Sequence, residues 1–340
     1  MHGKRFVGLS IAALVASMSV VTAIAVAAGS LTGAGSTLIT PLMAHWQSDF
    51  QQRTGISVNY GSVGSGAGIV DISSRTVQFG ASDAPMTPAQ AGACHGCVEI
   101  PWALTATAIG YRLDGVRGAV KLSGPVLARI YLGQIRNWND PAIKKLNKKT
   151  QLPNLAITPV YRSDGSGDTY VITDFLSRVS SAFRSRVGNA TAVSFPAGVG
   201  AAKNSGVAAK IAGVNGAVGY VAASYLITTS GIGVAALQNS AGNFEYPNLA
   251  NIAAAAKSVS RVPSNNELHI VNPPSVYGSA YPMSTFSYAI VPKVSSVSAQ
   301  LAQFIRYATG TGQQFGPALD FAPLPKVVRN AALKTAKGLR

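Results

Sequence analysis

Residues 33–60 read GAGSTLITPLMAHWQSDFQQRTGISVNY, and the order of patterns within them decides the fold class. A glycine-rich turn, Gly33-Ala34-Gly35-Ser36-Thr37, precedes Leu38, Leu42, His45-Trp46 and Phe50 at helical spacing; Gly55 stops the helix, and Ile56–Tyr60 reads as a strand. Further along, the glycines and serines of residues 61–68 lead into a short helix through Ile69 and Ile72, then a brief strand at 77–81 and a loop carrying Asp83. Residues 157–161 read as another strand, 162–168 as a polar turn, and 169–179 as a helix carrying Val171 and Phe175. Strands and helices alternate throughout, which predicts an α/β protein.

The chain has 340 residues, 47% of them hydrophobic and 12% charged, enough apolar surface for one or two full cores and too much for a disordered chain. No long low-complexity linker divides it. His2, Lys4 and Arg5 precede an apolar run from Phe6 to Ala27 that ends in Ala25-Val26-Ala27, the pattern of a cleaved secretory signal peptide over 1–27. The alternative, an uncleaved anchor, is weakened by Ser10, Ser17, Ser19 and Thr22. The rest of the chain is therefore expected to be soluble and periplasmic. Its two cysteines, Cys94 and Cys97 in C-H-G-C, are expected to form a local disulfide in that oxidising compartment.

Lys and Arg number 28 against 12 acids, a net charge of +16 that favours anionic partners. Removing 1–27 takes away only Lys4 and Arg5, so the basic balance belongs to the remainder. The cations are scattered apart from Lys144, Lys145, Lys148 and Lys149, and no stretch interleaves them with stacking aromatics, which argues against nucleic-acid binding.

Three loops carry glycines and hydroxyls at the start of a helix: Gly35-Ser36-Thr37, Gly64-Ser65-Gly66 and Gly165-Ser166-Gly167. Each is a candidate anion cradle, because glycine lets the backbone approach and the first N–H groups of a helix lack internal partners. Each alone is also an ordinary capped helix start. No Walker A motif, G-x-G-x-x-G fingerprint, G-x-S-x-G elbow or H-E-x-x-H pair is present, so nucleotide hydrolysis, dinucleotide binding, triad hydrolysis and metal chemistry have no local support; no metal and no cofactor are expected. Arg162 lies within reach of Asp164, which would hold its planar fork toward an oxyanion. Asp83 is the more informative residue. A carboxylate in an anion site repels its ligand unless the ligand brings a proton to donate, as monohydrogen phosphate does and sulfate does not.

These residues closely resemble the periplasmic phosphate-binding proteins of Pst-type ABC phosphate transporters. The resemblance runs through Gly33–Thr37, Tyr60–Gly68, Phe79-Gly80-Ala81-Ser82-Asp83-Ala84-Pro85, Tyr131–Ile135 with Trp138-Asn139-Asp140, Arg162–Gly167, Gly216–Tyr220 and Leu324-Pro325, in order along nearly the whole mature chain. It implies a two-lobed, Venus-flytrap (type II) binding protein. Each lobe is a mixed sheet flanked by helices, with lobe I at 28–106 plus 287–340 and lobe II at 107–286. It further implies a phosphate site made of Thr37, the Leu38 N–H, Ser65 and Asp83 from lobe I and Arg162, Ser166 and the Gly167 N–H from lobe II, with Asp164 orienting Arg162. Asp168 stands where many relatives carry Thr, so it is either a second proton acceptor or a cap of the helix that follows. The resemblance implies a monomeric receptor that delivers inorganic phosphate to an inner-membrane ABC permease. The alternative from another class is a phosphate-ester hydrolase on the same fold.

Overall fold

The computed structural model describes residues 29–340; the expected signal peptide at 1–27 lies outside the described residues. One nine-stranded mixed sheet organises the chain. Its strands are β1 (Ser30–Gly35), β2 (Ser57–Ser62), β3 (Phe79–Ser82), β4 (Cys97–Tyr111), β5 (Thr158–Arg162), β6 (Val199–Ala201), β7 (Ala217–Ala222), β8 (Gly233–Val234) and β9 (Ser284–Pro292). In space they run β2-β1-β3-β9-β4-β7-β5-β6, with β8 also on β4. Helices α1 (Thr40–Thr54), α2 (Ser65–Ser73), α3 (Gly167–Val179) and α4 (Lys203–Gly213) are the ones that position the site.

β4 is the strand on which the architecture turns. Its residues 97–106 pair antiparallel with β9, Ser284 opposite Ala106, and its residues 107–111 pair antiparallel with β7, Thr107 opposite Ala222. A proline cannot donate to a ladder. Pro101 is accommodated by a bulge, because the β4–β9 register shifts between Ser287 and Tyr288, opposite Pro101. On one side of β4 the parallel strands β2, β1 and β3 follow through β9; on the other, β7, β5 and β6 are mutually parallel. The result is a mixed α/β, two-lobed molecule in which both lobes share β4.

Each half has its own core. In the first, Trp102 on β4 meets Trp46, Phe79 and Phe304 edge-on at ring-centre separations of 5.4, 6.0 and 6.1 Å, a favoured aromatic geometry. Trp46 on α1 is fully buried and its indole N–H still finds a partner in the Gly312 carbonyl, at 2.9 Å. In the second, Tyr131, Phe195 and Tyr220 pack at 5.1 to 6.1 Å.

The helix expected at 169–179 begins earlier, at Gly167, because Ser166 caps it: its Oγ accepts from the N–H groups of Asp168 and Thr169 at 3.1 and 3.4 Å. Likewise the strand expected at 77–81 is Phe79–Ser82. Cys94 and Cys97 form a disulfide; Cys94 sits in a small apolar cluster with Ile69, Ile72, Met86 and Ile290.

Candidate functional site

The ends of β1, β2, β3 and β5, all with parallel neighbours, bring four loops to one place, where a crevice forms outside the strand ends. Two glycines show why the sequence there is fixed. Gly35 has φ +146°, and a Cβ on it would stand 2.1 Å from the Ala81 carbonyl oxygen, so only glycine lets β1 end flush against β3. A Cβ on Gly167 would stand 2.6 Å from the Asp83 Cβ, so glycine also lets the start of α3 close on the β3 loop.

Contacts across the crevice show the two halves closed on one another. The Gly66 N–H donates to the Gly165 carbonyl at 3.1 Å, the Gly167 N–H donates to Ser65 Oγ at 3.1 Å, and the Asn204 amide donates to Thr37 Oγ1 at 2.8 Å. Tyr225 adds a hydroxyl donated to the Thr37 carbonyl at 3.1 Å.

Asp83 lies at the centre, 1% exposed. Its Oδ2 accepts from the hydroxyls of Ser36 and, at 3.4 Å, Ser65. Its Oδ1 is buried without a hydrogen-bond partner among the described residues. Burial, reinforced by the negative charge of Asp168, pushes the Asp83 carboxyl up to about 7, against the hydroxyls of Ser36 and Ser287 and the charge of Arg162, which favour ionisation. A buried acceptor left without a donor costs roughly 1–3 kcal/mol, so this oxygen is an open demand for a proton-bearing partner.

Arg162, at the end of β5, is 4% exposed. Asp164 grips it side-on, Oδ1 to Nε at 2.7 Å and Oδ2 to Nη2 at 2.5 Å, while Nη1 donates to Asp168 Oδ2 at 3.2 Å. Burial works against its charge, but the hydrogen bonds to Asp164 and the charges of Asp168 and Asp164 outweigh it and hold the guanidinium above its ordinary range. A guanidinium has five N–H groups; three are spent on the carboxylates, and one each on Nη1 and Nη2 is left for a ligand.

Asp168 is 1% exposed, and both its oxygens are taken. Oδ1 accepts from Thr107 Oγ1 at 2.7 Å; Oδ2 accepts from Asn204 Nδ2 at 2.7 Å and from Arg162. Burial raises its pKa above the usual carboxylate range, opposed by Arg162, Thr107 and Asn204. The reading of Asp168 as the cap of its helix is corrected: Ser166 takes that role, and the Asp168 side chain turns toward Arg162 instead.

The residues expected at the site gather at this crevice in two hydrogen-bonded groups, one around Asp83 and one around Arg162 and Asp168, with Ser166 capping α3 between them. Thr37 reaches Asp168 through Asn204, Ser65 joins Asp83 to Gly167, and the Leu38 N–H donates to Ser36 Oγ at 3.0 Å with the Leu38 side chain buried in the core. Sequence reasoning did not place Thr107, Asn204 or Ser287 here, nor give Ser36 its contact with Asp83. Ser36 was visible in the first loop. Thr107 and Asn204 lie 61 and 36 residues from Asp168, on β4 and α4, where no local motif marks them.

Chemically the arrangement offers the hydroxyls of Thr37 and Ser166 and two guanidinium N–H groups, with the hydroxyls of Ser36 and Ser65 and the N–H groups of Leu38 and Gly167 available when they exchange their present partners for a ligand, set against one open acceptor. That is the complement of a small tetrahedral oxyanion carrying a proton. Among the described residues, no group of three His, Cys, Asp or Glu is arranged to hold a metal ion.

Comparison with known proteins gives the family. The family model of the PBP superfamily domain matches residues 20–311. The phosphate-binding protein PstS of Xylella fastidiosa (strain Temecula1) is 35% identical over 300 residues, covering 87% of this chain and 81% of that protein. PstS of Pasteurella multocida is 36% identical over 305 residues, 88% of each chain. Among solved structures, a phosphate-binding protein from Stenotrophomonas maltophilia superposes with a TM-score of 0.71 at 20% identity, over 90% of this chain and 93% of that one.

Proposed function

The chain belongs to the PstS phosphate-binding proteins of the PBP superfamily, and from that membership and the site geometry we propose that it is an extracytoplasmic receptor for inorganic phosphate. The observation that carries the proposal is Asp83 Oδ1, a buried acceptor with no partner among the described residues, at the point where donors from both halves converge. Monohydrogen phosphate supplies the missing proton there and presents its other oxygens to Thr37, Leu38, Ser65, Arg162, Ser166 and Gly167. Asp164 fixes the Arg162 fork in the orientation that leaves two N–H groups free. Asp168 stands behind Arg162 as a second negative charge held by Thr107 and Asn204.

The shared strand supports a division into lobe I, 28–106 plus 287–340, and lobe II, 107–286, with the β4 crossing at residues 106–107, where its pairing passes from β9 to β7. Closure of the two lobes over phosphate is the event a membrane permease reads; the partner is an ABC permease of the inner membrane, to which a monomeric receptor in the periplasm delivers its ligand. The function is binding, not ester hydrolysis. Gly66 meets Gly165, and Gly167 meets Ser65, directly across the crevice, close to where an ester's organic group would have to sit.

A thermal-shift series tests the reading. Protein freed of ligand by unfolding and refolding should gain stability with phosphate, on the order of 4 kcal/mol at a thousandfold excess over Kd. Sulfate and a phosphate monoester should leave it unchanged, with no inorganic phosphate released from the ester. Equal stabilisation by sulfate, or steady release of phosphate from the ester, would defeat it.

A further inference from the structure

A second cavity, about 570 Å³ and lined by none of the phosphate-site residues, lies between the β3–β4 connection, α3 and the segment 264–267. Glu99, on β4, lines it and is 8% exposed. Its Oε1 accepts from the Met86 N–H at 2.9 Å, while Oε2 has no protein donor and no cationic side chain pairs with the group among the described residues. A buried carboxylate without a counter-charge is costly, and the cost is relieved by taking up a proton or a cation. The space is a built one. Asn266, 4% exposed and with φ +62°, holds the 264–267 segment over β4 by donating to the Glu99 carbonyl at 2.7 Å and to Thr335 Oγ1 at 2.9 Å.

The walls are mostly apolar, from Met86, Pro88 and Ala91, with the Tyr170 ring on the α3 side and a second carboxylate, Glu267, among the lining residues. Glu267 is the more exposed of the two; it pairs with His269 at 3.0 Å and accepts from Asn265 Nδ2 at 3.0 Å. A divalent metal would need a larger set of oxygen or nitrogen ligands than the described residues supply. An alkyl chain between two ammonium groups matches what is present: apolar wall, aromatic face, and a carboxylate for each cation.

We propose that this cavity is a second ligand site, for a short aliphatic diamine, with one ammonium on Glu99 Oε2 and the other at Glu267. The site uses none of the phosphate-site residues, though its walls come from both lobes. Burial pushes the Glu99 carboxyl up to about 7, with the charge of Glu267 adding to the rise and the Met86 N–H opposing it. Other titratable groups near it are His269 beside Glu267, Tyr170, and Tyr288, whose own ionisation Glu99 disfavours; Lys293 and Lys334 line an adjoining cavity that shares Asn266 and Thr335. Binding is therefore strongest above the range in which Glu99 takes up a proton.

Calorimetric titration of the purified protein with 1,4-diaminobutane at pH 8 tests this, with n-butylammonium as the single-cation probe. The expected result is saturable one-to-one binding, at least tenfold tighter for the diamine than for n-butylammonium, and weakening several-fold at pH 6. Glu99→Gln, whose amide oxygen keeps the Met86 contact, should weaken the diamine at least tenfold and leave phosphate affinity within twofold. In Glu267→Gln, at the more exposed carboxylate, the preference for two cations over one should vanish. Absence of saturable diamine binding to the native protein, or equal diamine affinity in Glu99→Gln, overturns the site; an undiminished diamine preference in Glu267→Gln overturns the two-point contact. A loss of phosphate binding in the native protein would count against the receptor reading alone.

Discussion

Replacing Asp83 by Asn isolates the proton-accepting oxygen from the rest of the site. In the native protein, sulfate would place an oxygen with no hydrogen against Asp83 Oδ1, a buried acceptor that already lacks a partner. Forfeiting a hydrogen bond that involves a charged group costs about 1.5–3 kcal/mol, and repulsion between the buried carboxylate and the anion adds to it. A preference for phosphate of at least about 3 kcal/mol follows, more than 100-fold at about 1.4 kcal/mol per tenfold. Asn keeps the size; its amide oxygen takes over the contact in which the Ser36 hydroxyl now donates to Asp83 Oδ2, which turns the NH2 toward the ligand as a donor where the native carboxylate accepts. Phosphate affinity should fall about tenfold, sulfate binding should appear, and the ratio of the two should drop on the order of 100-fold. Calorimetric titration of both anions into native and Asp83→Asn protein at neutral pH measures this. A ratio within twofold of native would refute the proton-acceptor argument.

Four further outcomes are expected. Arg162→Lys loses the two-pronged grip of Asp164 and the fork offered to the ligand, so phosphate affinity should fall by roughly 2–3 kcal/mol, with a far smaller loss in Lys203→Ala as the basic control; equal losses would reduce Arg162 to general charge. Asp83 ionises near 7 when folded and near 3.8 otherwise, so the folded ligand-free protein holds an extra proton between those values, and its stability should decline as pH rises from about 4 to about 7, by on the order of 4 kcal/mol from this group; denaturant unfolding at pH 5 and pH 8 should show a flatter dependence in Asp83→Asn, and an unchanged slope would contradict the raised value. Gly167→Ala sets a Cβ 2.6 Å from the Asp83 Cβ, so it should hold the lobes apart, which small-angle scattering would register as a larger radius with phosphate present than the native protein shows. Opening the Cys94–Cys97 bridge by a double change to Ser frees a loop of sequence separation 3, which should cost roughly 2 kcal/mol of stability and leave phosphate affinity unaltered.

The parts of this molecule that could be read from its sequence are those whose cause is local. Glycine and hydroxyl residues before apolar helical spacing mark Gly35–Thr37, Gly64–Gly66 and Gly165–Gly167, and all three loops do meet at one crevice. Arg162 and Asp164 are two residues apart, so their pairing is a property of one turn. What escaped is long-range. The sharing of β4 between the two halves of the sheet depends on which strands flank it, and its nearly unbroken apolar run carries no mark at residue 107, where the partner changes. The role of Asp168 depends on Thr107 and Asn204, brought in from β4 and α4, and on Ser166 having taken the cap that Asp168 was equally suited to fill. The Glu99 cavity was likewise invisible, since Glu99 and Glu267 lie on separate elements with no motif between them.

The central claim is that the crevice around Asp83 and Arg162 selects phosphate by its proton, and calorimetric titration of the ligand-stripped native protein with phosphate and then sulfate at neutral pH tests it most directly. One-to-one phosphate binding, micromolar or tighter, with sulfate giving no heat is the predicted result. Comparable binding of both anions, or of neither, would contradict it.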